Sequence, residues 1–64
     1  MIYPGAHYKH PRYRTERLVL SVEGHFVRCQ ERDEHGFQRV VMPFVSQMER
    51  WIAGAVEITE RRAA

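Results

Sequence analysis

Four histidines, a single cysteine and eight acidic residues are the groups in this 64-residue chain that could do chemistry. Their spacing decides what kind. His7 and His10 stand three apart, and on a helix both imidazoles could reach one metal ion. Pro4, Gly5 and Pro11 bracket them, which disfavours a helix and implies a short strand, where positions three apart point to opposite faces. His25 and Cys29 share a strand face but lie about 13 Å apart along it, too far for one ion. No metal or other cofactor is therefore expected, short of ligands shared at a subunit interface. Cys29 with His25 or His35 can be drawn as a nucleophile and its base. A cysteine in a buried strand with no cation or helix N-terminus beside it stays protonated and inert. Asp33 and Glu34, beside Glu31, read as a solvated turn, and no serine has a recognisable base and orienter. The expectation is a chain without catalytic residues.

What remains is recognition chemistry. Tyr3, Tyr8 and Tyr13 are interleaved with Lys9, Arg12 and Arg14. Aromatic rings next to cations can stack on nucleobases or on a peptide, whereas the plainer reading has the tyrosines covering the edge of a small core. Trp51 has the same two readings, an exposed anchor for a partner or a plug at the end of the core. Net charge is only +2, unevenly placed: residues 1–22 carry +3, residues 23–60 carry −3, and Arg61 and Arg62 follow. A local basic segment can attract phosphates or an acidic protein face, but this balance is far from that of a dedicated nucleic-acid binder.

The elements that must position these residues follow from periodicity. Ala6–His10 reads as a short strand ended by Pro11. From Glu16 to Arg32 two alternating runs are pinched at Glu23-Gly24, the signature of a β-hairpin. Leu18, Leu20 and Val22 are expected in the core on the first run, Val27 and Cys29 on the second, with Phe26 at the rim and Arg28, Gln30 and Arg32 outward. Asp33-Glu34-His35-Gly36 is a second turn, and Phe37–Met42 the third strand of the meander, closed by Pro43. Ser46 three residues before Glu49 has the spacing of a capping box, and Gly54 that of a stop, so a helix of one or two turns is expected over Gln47–Ala53. Ala55–Thr59 alternates as a closing strand. Residues 1–5 and 60–64 are expected to fray.

Five short strands with a helical turn before the fifth give an all-β domain spanning residues 1–64, with the strand order of a small SH3-like barrel, whose closure would remove exposed sheet edges. The alternative lengthens the helix to Pro43–Ala53 and packs it on an open sheet. The layout Tyr8-Lys9-His10, Arg17-Leu18-Val19-Leu20, Phe26-Val27-Arg28 and Val40-Val41-Met42-Pro43, leading into a helix with Trp51, resembles a family of short bacterial and phage proteins of unknown function. The resemblance implies an SH3-like fold and an accessory or mobile-element setting, and no activity. Another SH3-like family, the plasmid-borne dihydrofolate reductases, builds its active site at the axis of an oligomer around a Val-Gln-Ile-Tyr motif that this chain lacks.

Size and composition complete the expectation. A chain this short buries only about 60% of its unfolded surface, which leaves no room for a deep dry cleft. One cysteine allows no internal disulfide, and no apolar run approaches the ~18 residues needed to span a bilayer. With no apolar signal-peptide core at the N-terminus, the setting expected is cytoplasmic and away from membranes. The function expected is an interaction module. It would bind a protein partner or itself through Tyr8, Lys9, Arg12, Tyr13, Arg14 and Trp51. The alternatives are a nucleic-acid binder using the basic N-terminal segment and an enzyme formed at an oligomer axis.

Overall fold

Alternating apolar residues, punctuated by glycine turns, fold the middle of the chain into a meander, and the computed structural model describes residues 1–59. The elements are β1 (His7–His10), β2 (Thr15–Glu23), β3 (Phe26–Asp33), β4 (Gln38–Val41), α1 (Val45–Ala53) and β5 (Val56–Glu57). All strand pairs are antiparallel, in the order β4-β3-β2-β1-β5. The expected all-β domain with one helix before its last strand is present. No pairing of β4 with β5 joins the two ends of the sheet among the described residues. No helix among these residues is long and apolar enough to cross a membrane.

The β2–β3 turn is a two-residue loop, Gly24-His25, flanked by the pair Glu23 and Phe26. Only Gly24 of the two has positive φ, at 61°, the pattern of a type II′ turn whose twist suits a hairpin. Gly36 takes φ 89° in the β3–β4 turn, where the Asp33 carboxylate accepts hydrogen bonds from the backbone N–H of His35 and Phe37.

The sheet has an inner face covered by α1 and an outer face that it leaves open. Inner positions run Ala6, Tyr8 and His10 on β1 and its lead-in, Arg17 and Val19 on β2, and Val27, Cys29 and Glu31 on β3. Met48 of α1 caps the buried cluster of Ala6, Tyr8, Val19, Val27 and Cys29. Val27 and Cys29 point inward and Phe26 sits at the rim, as expected. The first run of the hairpin is corrected. Val19 is the buried residue, while Leu20 and Val22 are 40% and 44% exposed and Leu18 is only partly buried. The cause is a β-bulge: the register shifts between Val19 and Ser21, leaving Leu20 without an opposite residue. Past the bulge the parity reverses, so Val19 and Val22 share the inner face and Leu18 lies on the outer one.

The helix starts two residues earlier than expected and is capped differently. Phe44 is the N-cap, and its backbone N–H donates to Oε1 of Gln47 at 3.0 Å. Ser46 and Glu49 therefore lie inside the helix and form no capping box. Gly54 does end the helix. The N-terminal residues are held rather than frayed: Ile2 and Tyr3 pack on the core, the Tyr3 hydroxyl donates to Glu57, the Tyr8 hydroxyl donates to the carbonyl of Met1, and Gly5 N–H donates to Val19 O. The expected fraying of 60–64 lies outside the described residues.

Candidate interaction site

Pro11 ends β1, and the chain reverses through residues 11–14 before entering β2, with Arg14 in the left-handed region at φ 54°. This reversal brings Tyr13 against the C-terminal part of α1. His10, buried on the inner face, joins the two: its ring lies 4.4 Å from that of Tyr13 and 5.1 Å from that of Trp51. Its Nδ1 accepts a long hydrogen bond, 3.4 Å, from the Tyr13 backbone N–H. Gly54 is required by this packing rather than by its backbone angle, since φ is −100°. A Cβ there would sit 2.7 Å from His10 Nε2.

Trp51 also carries the guanidinium of Arg17, 4.6 Å from its ring centre. Arg17 Nε donates to Glu31 at 2.9 Å and Nη1 to the Met48 sulfur at 3.6 Å. The other Glu31 oxygen receives Arg39 Nη2 at 2.8 Å. Burial alone would push the Glu31 carboxyl up, but the hydrogen bonds and charges of Arg17 and Arg39 outweigh it and hold the group below its ordinary range. Glu31 is thus a buried, doubly paired carboxylate, which corrects its expected place beside a solvated acidic turn.

Beside Trp51 lies an open depression of about 480 Å³, with His10 and Gly54 at its back and Arg12, Tyr13, Gln47 and Arg50 around it. It contains no carboxylate. Arg12 stacks on Tyr13 at 6.0 Å, and neither Arg12 nor Arg50 has an acidic partner among the described residues. A second depression of about 410 Å³ mixes Lys9, Arg14 and Arg32 with Glu16, Asp33 and Glu34; there Arg14 pairs with Glu34 at 3.3 Å.

The six residues singled out from sequence therefore separate. Arg12, Tyr13 and Trp51 come together. Lys9 and Arg14 lie in the second depression. Tyr8, 2% exposed, is core and offers no ring to a partner, because its β1 position faces the helix. Trp51 meets both expectations halfway, being half-buried with one side packed and one side on the depression. Arg50 and His10 were missed. Arg50 had a signal, its place next to Trp51 in a helix.

The histidines diverge as their spacing implies: His7 pairs with Glu16 at 3.1 Å, while His10 is buried on the inner face. His25 lies in the hairpin loop, and Cys29 is buried, its thiol pushed up chiefly by burial. Among the described residues no group of three or more His, Cys, Asp or Glu could hold a metal ion. Compared with family models, curated proteins and solved structures, the chain finds no match.

Proposed function

We propose that this domain is a small cytoplasmic interaction module, SH3-like in layout, that binds an acidic segment of a protein partner at the Trp51 depression. The observation that carries this reading is the pair of arginines, Arg12 and Arg50, flanking the half-buried Trp51 and the exposed Tyr13 ring with no carboxylate among the residues that line the depression. Aromatic and arginine side chains at the centre of a patch are the groups that dominate protein-binding energies. An acidic peptide with one aromatic or apolar side chain supplies what the depression lacks, a negative charge for each guanidinium and a flat group for the Trp51 and Tyr13 rings.

The nucleic-acid reading is less well supported, because the basic segment does not form a track. Arg17 is neutralised by Glu31, Lys9 and Arg14 sit among three acids, and only Arg12 joins the depression. Phosphate-driven binding needs several cations in line.

Trp51 is the single tryptophan, so its fluorescence reports directly on the site. Titration with a Glu-rich peptide carrying one Phe should change that emission, and Arg50→Ala should weaken binding by about tenfold. Binding of a single-stranded oligonucleotide with a steep salt dependence, and none of the peptide, would overturn the proposal in favour of the nucleic-acid reading.

A further inference from the structure

The sheet ends in two edges of different kind. β5 is two residues long, and one of them is Glu57. β4 is four residues, flanked by Phe37 and Met42, and its free side carries no charged side chain. Its geometry follows from the ladder with β3. The backbone N–H groups of Asp33 and Val27 donate to the carbonyls of Phe37 and Pro43, so with Gln38 paired to Arg32 and Val41 to Cys29 the odd residues of β4 turn their backbone groups to β3. In an antiparallel ladder the alternate residues then turn theirs away. Gln38, Val40 and Met42 thus offer three N–H donors and three carbonyl acceptors to the open edge, with no partner among the described residues. The usual protections of an edge are a lysine, a proline or a bulge. Here the only charge in the strand, Arg39, pairs with Glu31 at 2.8 Å while its side chain stays 74% exposed, and the first proline comes after the ladder, at Pro43.

We infer that β4 is a dimerisation edge, pairing antiparallel with β4 of a second copy of this chain about a twofold axis through Val40. The edge is self-complementary in that register. Val40 meets its own copy, Gln38 meets Met42, and the six donors and acceptors on each side all find partners. No like charges face each other directly, since Arg39 falls opposite Val41 and stays bound to Glu31. Beyond the ladder, Phe37 falls opposite Pro43 of the other copy. Phe37 is 76% exposed, and Val40 and Met42 are also exposed, so all three apolar side chains gain cover that one chain does not give them. A twofold repeat uses the same patch twice and closes, which an edge shared with an unrelated strand does not require. The ladder is small beside the roughly 1,200–2,000 Å² of a standard interface, so the dimer is weak and concentration-dependent. It is independent of the Trp51 depression.

The experiment is sedimentation equilibrium of the full chain up to about 1 mM, a range that covers weak association, with amide hydrogen exchange at both ends of the range. The expected result is a monomer–dimer equilibrium in which the amides of Gln38, Val40 and Met42 become protected as concentration rises. Val40→Lys, which sets two ammonium groups face to face at an exposed position, should weaken the dimer at least about tenfold and leave the thermal melt of the monomer unchanged. Phe37→Ser, which removes an exposed side chain and keeps the backbone hydrogen bonds to Asp33, should weaken it in the same direction. A chain that stays monomeric throughout overturns the inference, and so does a dimer in which those three amides still exchange freely or which Val40→Lys leaves intact.

Discussion

Glu31 is the residue on which the inner face depends electrostatically. Its carboxylate is almost enclosed and takes a guanidinium on each oxygen, so removing it leaves Arg17, itself largely covered, without a counterion. Breaking such a pair from one side costs about 3–5 kcal/mol, a large part of the stability of a small domain. Glu31→Gln should therefore lower the thermal midpoint sharply. The sign of its pH dependence follows from the direction of the shift. A carboxyl held below its unfolded value, about 4.3, contributes stability that is complete above that value and is lost as pH falls through the folded one. Wild-type melting temperature should thus drop more steeply than that of Glu31→Gln between about pH 5 and pH 3, and parallel curves would disprove the assignment. Replacing Arg17 and Glu31 together by apolar residues of similar volume should restore much of the loss, because the cost lies in the uncompensated charge.

At the scale of elements, the packing of β1 on α1 includes one tight contact at the helix C-cap, Gly54 against the His10 ring. The ring is wedged between Tyr13 and Trp51 and has little freedom to retreat. Gly54→Ala, harmless to the backbone, should cost about 1–3 kcal/mol by overpacking, and it should disturb the emission of Trp51 in the native state. An unchanged stability and spectrum would show that the ring moves freely. Most elements were legible in the sequence because each rests on a local signal: Pro11 and Pro43 at strand ends, Gly24 and Gly36 in turns, Gly54 after the helix. What was not legible depended on nonlocal facts. The faces of β2 could not be read from Leu18, Leu20 and Val22, since their alternation is regular and only pairing with β3 reveals the bulge. Tyr8 looked like a surface ring because it sits among cations; its burial follows from α1, packed across β1. The capping box at Ser46 and Glu49 failed because Gln47, reaching back to Phe44, starts the helix two residues sooner.

For the whole molecule, the distribution of charge matters more than its total. The cations that looked like one basic segment are divided among the buried pair with Glu31, a mixed depression, and an aromatic one without acids. The Trp51 depression lies where β1 meets α1, and the β4 edge lies at one end of the strand order, so a dimer through β4 would leave the Trp51 depression open. The bulge at Leu20 governs this map. Counted back from Glu23 and Phe26 without it, Arg17 would face Arg32 and Glu16 would face Asp33, two like-charge pairs. With it, Arg17 faces Glu31 and Glu16 faces Arg32. The hairpin is one residue too long for its own pairing, and Leu20 absorbs the difference. A chain with Leu20 deleted should fold with every cross-strand partner unchanged, readable as the same set of interstrand contacts by NMR; a scrambled ladder would show that the bulge is itself required. If the deletion folds, the spare residue is a tolerance in chain length at the one place where a slip of register would turn attraction into repulsion.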